Sequence, residues 1–140
     1  MNFNELKKVA ELAHYLDIDS RELAEKIGAS DFEVENYRFI KETDAIDLLL
    51  EQYHGDPYLL GCFNDWFISD CCDIPLSVVS ALQKNELFEE LGLLMINSGI
   101  DELINEYISL DGYGHAFGSY DHSFYDVSID GIDYIYFRHN

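Results

Sequence analysis

Two β-prone runs, Phe124 to Ile129 and Ile132 to Arg138, flank the dipeptide Asp130-Gly131. That pair best fits a two-residue type I′ hairpin turn, in which both central residues need a positive φ. The feature constrains the fold strongly, because a lone hairpin is marginal in water and needs something to cover it. The best third strand is Phe32 to Ile40, rich in aromatic and β-branched residues. Nearly everything between these segments has helical spacing. The expectation is an α+β fold: a mainly helical single domain with a small antiparallel sheet, formed by the C-terminal hairpin and one strand from the N-terminal half. A chain of 140 residues fits one such domain.

The helical segments are legible from apolar periodicity and from caps. Leu6, Val9, Ala10, Leu12, Ala13 and Leu16 recur at helical spacing over Asn4 to Leu16. Ser20 is placed to cap a short helix through Ile27, closed by Gly28. Thr43 is placed to cap a third, with Ile46, Leu49, Leu50 and Tyr53 on its apolar stripe and Asp44, Asp47 and Glu51 opposite. Asp56-Pro57 opens Tyr58 to Cys71, where Leu59, Cys62, Phe63, Trp66 and Phe67 predict the most buried helix. Pro75 opens a helix through Lys84. Asn85 then caps another, with Leu87, Phe88, Leu91, Leu94 and Met95 inward and Glu86, Glu89 and Glu90 outward, stopping at Ser98-Gly99. Asp101 to Leu110 repeats the arrangement, with Glu102 and Glu106 outside. After Leu110 the glycines of Asp111-Gly112-Tyr113-Gly114 and the dense aromatic residues predict β-structure.

Charge narrows the function. The chain holds 28 acidic and 8 basic residues, a formal net of -20. Residues 1 to 41 carry six basic and nine acidic residues; residues 42 to 140 carry only Lys84 and Arg138 against 19 acidic ones. The organisation expected is an N-terminal helical segment with a candidate strand, 1 to 41, and an acidic helical region with the hairpin, 42 to 140, in one folding unit. Such a polyanion is repelled by nucleic acid and by anionic membranes. The chain has no apolar run of about 18 residues to span a bilayer. Its first residues lack the apolar core of a signal peptide. A cytoplasmic location is expected.

Other constellations point less far. Cys62, Cys71 and Cys72 match neither a zinc ribbon nor a CxxC pair, so free thiols are expected, with no disulfide, no metal and no cofactor. Asp111, His115, Asp121 and His122 lie near one another in a glycine-rich stretch, and a small enzyme using His115 and Asp121 is one alternative. Leu23 to Ser30 followed by Val34 suggests a helix-turn-helix, hence a transcriptional regulator or dimerising adaptor as another. Its second helix would begin Asp31-Phe32-Glu33-Val34-Glu35, which offers phosphates almost nothing.

Tyr37-Arg38-Phe39-Ile40, Leu60-Gly61-Cys62-Phe63-Asn64, Gly112-Tyr113-Gly114-His115 with Tyr120-Asp121, and Tyr134 to Asn140 resemble small acidic proteins of phages and other mobile elements. The resemblance covers roughly residues 31 to 140. The chain has Asp121-His122 where Asp-Gly is expected. The resemblance implies an inhibitor of the anti-restriction or anti-CRISPR type, some of which imitate DNA, and it carries over no catalytic residue. The function expected is a non-enzymatic acidic inhibitor that blocks a basic, nucleic-acid-binding host defence protein in the host cytoplasm. The expected partner-binding face comprises Asp44, Asp47, Glu51, Asp65, Glu86, Glu89, Glu90, Glu102 and Glu106. Duplex DNA carries one charge per about 1.7 Å, so the net of the last 99 residues corresponds to roughly 29 Å of duplex.

Overall fold

A computed structural model describes residues 1 to 140, and its architecture is α+β. In chain order the elements are α1 (Phe3–Leu16), α2 (Ser20–Lys26), β1 (Asp31–Val34), β2 (Tyr37–Lys41), α3 (Glu42–His54), α4 (Pro57–Gly61) and α5 (Asp65–Cys72). They continue with α6 (Leu76–Lys84), α7 (Phe88–Ser98), α8 (Asp101–Ala116), β3 (Tyr125–Ile129) and β4 (Ile132–Arg138). Contacts group them into two compact units, Met1–Ala45 with Gly112–Asn140, and Ile46–Asp111. The C-terminal hairpin therefore belongs with the N-terminal segment, and the intervening acidic helices form a unit of their own.

The first unit is built on a four-stranded antiparallel sheet of order β1-β2-β4-β3. Asp130 and Gly131 both have positive φ, 54° and 76°, as the expected turn requires. The expected single strand over 32 to 40 is instead a hairpin, turning at Glu35-Asn36, where Glu35 takes a left-handed φ of 53°. This also removes the second helix of a helix-turn-helix, because α2 is followed by strands. Phe32, Phe39, Tyr136 and Tyr125 stand opposite one another in register, one from each strand, with successive ring centroids 5.1, 5.3 and 5.4 Å apart. Each such aromatic pair adds about 0.5 to 1.5 kcal/mol beyond its buried area, so this ladder helps to set the register.

Both faces of the central strand β4 are covered. On one side Val9, Ala13 and Leu23 of α1 and α2 join Phe32, Val34, Phe39, Tyr134 and Tyr136 in a single core. The Tyr134 hydroxyl accepts from the Gly28 N–H at 2.8 Å and donates to the Ala29 carbonyl at 3.1 Å, so its buried polar atom is satisfied. On the other side Phe137 stacks on Phe117 at 5.7 Å. The expectation of β-structure from residue 111 is corrected here. Gly112 breaks the helix with a φ of 83°, but helical hydrogen bonding resumes and α8 runs to Ala116. Gly114 is buried, and a Cβ there would lie 2.2 Å from the His122 carbonyl oxygen. The glycine thus serves close packing of a helical turn against a loop.

In the second unit α4 lies directly against α7. A Cβ on Gly61 would stand 2.0 Å from the Phe88 carbonyl oxygen, and one on Gly92 would stand 1.8 Å from that of Pro57. Leu49, Leu60, Ile68, Val79, Leu91 and Leu103 are among its fully buried side chains. The long, deeply buried helix expected over Tyr58 to Cys71 is corrected to two short helices. Asn64 restarts the chain as an N-cap, its Oδ1 accepting from the Trp66 and Phe67 N–H groups at 3.0 and 3.4 Å. Tyr58, Leu59, Cys62 and Trp66 are exposed in consequence. Leu87 and Leu94, expected inward, are exposed as well. No helix is long and apolar enough to cross a membrane.

Candidate functional site: the acidic helical unit

Residues 46 to 111 hold thirteen carboxylates and one cation, Lys84, a net of -12. Only Asp56 and Asp65 use their carboxylates inside the unit. Asp56 caps α4 by accepting from the Leu59 N–H at 3.1 Å; Asp65 accepts from the Trp66 N–H at 2.7 Å and from the Ser80 hydroxyl at 3.5 Å. The other eleven are exposed and make no hydrogen bond or ion pair to the protein. Every ion pair of the molecule lies in the first unit: Lys26 with Glu22, Arg38 with Asp31, and His139 with Glu33 at 3.9 Å. The acidity of the helical unit is thus uncompensated by the chain itself.

Of the nine carboxylates expected on the partner-binding face, seven meet this description: Asp47, Glu51, Glu86, Glu89, Glu90, Glu102 and Glu106. Asp44 lies in the first unit and accepts from the Ser30 hydroxyl at 2.7 Å; Asp65 is half-buried and bonded as above. Asp47 and Glu51, and likewise Glu102 and Glu106, are i,i+4 pairs separated by about 6 Å of helix rise. Glu86 is not on a helix with Glu89 and Glu90, because α7 begins at Phe88 and Glu86 has a left-handed φ of 59°. Glu89 and Glu90 occupy the first turn of α7, and Asp101 and Glu102 that of α8, where the helix dipole favours negative charge.

Sequence reasoning missed a cleft in this unit. A volume of about 380 Å³ is walled by Phe63, Phe67, Tyr107 and Leu110, with Cys62, Asn64 and Asp111 supplying polar atoms. A second lobe of about 170 Å³ shares Cys62, Phe63 and Tyr107 and adds Tyr53 and Leu59. The connection between α4 and α5 positions it. Gln83 of α6 donates to the carbonyls of Gly61 and Phe63 at 3.0 and 2.8 Å and so clamps that turn. Phe63 meets Tyr107 edge-on at 5.0 Å and tilts against Tyr53 and Phe67 at 5.8 and 5.9 Å. Burial raises the Tyr107 hydroxyl above its ordinary pKa, and the nearby Asp111 charge raises it further. The sequence signal was Asn64-Asp65, an N-cap pair interrupting an apolar run.

The three thiols are free and differently placed. Cys62 is exposed. Cys71 is half-buried, its thiol raised by burial and then by Glu102, Glu106 and Asp70; Cys72 is buried and pushed up to about 11, chiefly by that burial. Cys72 is thus less thiolate and less accessible than an ordinary cysteine. Maleimide on the native protein should therefore label Cys62 first, Cys71 slowly and Cys72 only on unfolding. Peptide mapping of a time course checks the order, and early labelling of Cys72 would contradict it.

The loop of the first unit brings His115 and His122 together, rings stacked at 4.1 Å and 28°. Face-to-face rings direct their in-plane lone pairs nearly side by side instead of toward one ion. No three His, Cys, Asp or Glu side chains gather where they would hold a metal. Asp121 is engaged in the loop itself, accepting from the Ser123 N–H at 3.0 Å. His122 has a φ of 63°, the left-handed conformation that a glycine at that position would favour. Arg38 is held by two hydrogen bonds to Asp31, at 2.9 and 2.8 Å, and lies over the Phe117 ring. Comparison of the chain with protein-family models, curated proteins and solved structures finds no match.

Proposed function

We propose that the protein is a non-enzymatic acidic inhibitor, of the type phages and mobile elements encode, that occupies the nucleic-acid-binding surface of a basic host defence protein. The observation that carries this reading is the helical unit with its net of -12, whose eleven free carboxylates find no cation within the chain. Uncompensated charge of one sign destabilises a compact state through self-repulsion, and a cationic partner removes that cost on binding. The mechanism is occlusion: carboxylates stand where phosphates would lie and exclude the nucleic acid. Electrostatic steering would speed association at low salt.

Capture from a host lysate, with and without competing duplex DNA, tests the proposal. The proteins retained should be basic and nucleic-acid-binding, and duplex DNA should displace them. Retention of only neutral or acidic proteins, indifferent to DNA, would overturn it. The protein itself should show no binding to duplex DNA at physiological salt, because non-specific affinity comes from Lys and Arg neutralising phosphates. Fluorescence anisotropy with a labelled duplex checks this; saturable binding lost on Arg38→Ala would favour a regulator instead.

A further inference from the structure

We propose that the cleft beside Phe63 and Tyr107 is an anchor pocket for an arginine side chain of the partner. The inference rests on the reading of the helical unit as a surface for a basic protein, and it specifies the residue chemistry that surface takes. Phe63, Phe67, Tyr107 and Leu110 give the cleft an apolar part that suits the three-carbon stem of arginine and the faces of its planar, weakly hydrated guanidinium, and the rest of its lining is polar. Lysine is served less well, since its compact ammonium is strongly hydrated and does not stack.

Charge selects a cation over a neutral or anionic guest. Asp111 lines the cleft with a carboxylate that has no hydrogen bond or ion pair to the protein, and the unit around it is strongly acidic. The second lobe has no carboxylate of its own and adds apolar wall. The Tyr53 hydroxyl is raised above its ordinary pKa by burial first and then by Tyr107, with Asp56 adding to the effect. Buried arginines in pockets are among the commonest energetic anchors of protein interfaces. A preformed slot with a free carboxylate and aromatic walls would supply one here, among surface carboxylates that each contribute little by themselves.

Cys62 gives the readout, because it is exposed and touches both lobes. The rate of its alkylation by neutral N-ethylmaleimide is measured on the intact protein with a capped Gly-Arg-Gly peptide at about 10 mM, a range suited to a single side-chain contact. Cys62→Ser corrects for the other two thiols. The arginine peptide should slow alkylation severalfold, its uncharged citrulline counterpart should not, and the lysine peptide should act more weakly. Asp111→Asn, at an exposed carboxylate with no bond to the protein, should weaken protection about two- to fivefold, as loss of one solvent-open charge pair does. Equal protection by citrulline, or none by arginine, would overturn the anchor. A variant with Asp47, Glu51, Glu86, Glu89, Glu90, Glu102 and Glu106 changed to amides separates the two ideas. It should keep the protection while losing affinity for polyarginine. Undiminished polyarginine binding would count against the acidic-surface reading, whereas loss of protection in the parent protein counts against the anchor alone.

Discussion

Gly92→Ala should largely unfold the helical unit or shift its thermal midpoint down by many degrees. The added Cβ would sit 1.8 Å from the Pro57 carbonyl oxygen and 2.4 Å from its carbon, and backbone cannot turn aside as a side-chain tip can. Gly61→Ala meets the same obstacle at the Phe88 carbonyl, 2.0 Å away. Relief requires α4 and α7 to separate, which opens the packing around buried Leu60 and Leu91. Overpacking of this kind typically costs about 1 to 3 kcal/mol, and a backbone-on-backbone clash belongs at or above the upper end. Gly55→Ala is the control: its nearest atoms are 3.5 Å away, an ordinary contact, so the change should be neutral or stabilising by up to about 1 kcal/mol. Circular dichroism melts of the three variants check the ranking. A Gly92→Ala protein as stable as its parent would show that α4 and α7 do not approach this closely.

Neutralising the seven free carboxylates together should weaken binding to a basic partner by about 10- to 1000-fold. Each exposed contact is worth only about 0.2 to 1 kcal/mol, so Asp47→Asn alone should matter little, but seven such terms add to several kcal/mol. Asp44 and Asp65 are left in place because their carboxylates hold Ser30 and the start of α5. The fold should survive, since none of the seven makes a bond to the protein. Amides at Glu89, Glu90 and Glu102 forgo some favourable interaction with helix N-termini. Against this, the net charge of the unit falls from -12 to -5, which relieves repulsion throughout it. Binding by the parent should also fall steeply with salt, because at about 0.15 M charges are screened over roughly 8 Å. A folded seven-fold variant that bound its partner undiminished, or binding indifferent to salt, would sink mimicry by these residues.

The parts of this protein that are written locally were legible in its sequence. Asp130-Gly131 needs only its own φ preferences to make a turn, and the β-prone run over 32 to 40 was placed in the sheet, although its own turn at Glu35-Asn36 was not foreseen. Most helices announced themselves by period, because an apolar stripe repeats whatever covers it. The excess of carboxylates after residue 41 was likewise a matter of counting, and of the nine residues expected on a partner-binding face seven are exposed and unbonded to the protein.

What tertiary structure decided was which apolar groups are covered and which glycines are crowded. Asp111 to Gly114 carries two glycines and reads as a helix breaker. Only the His122 and Ser123 backbone pressing on Gly114 explains why a helical turn there is useful. The run from Tyr58 to Cys71 looked like the deepest helix because its apolar content was judged without Asn64 redirecting the chain. Trp66, 63% exposed, marks the result. A cleft opens in the same unit between Cys62 to Phe67 and Tyr107 to Asp111, walls about forty positions apart in the sequence. Local preference fixes φ, ψ and periodicity, but a cleft is a relation between surfaces brought together by packing, and no window along the chain contains both of its walls.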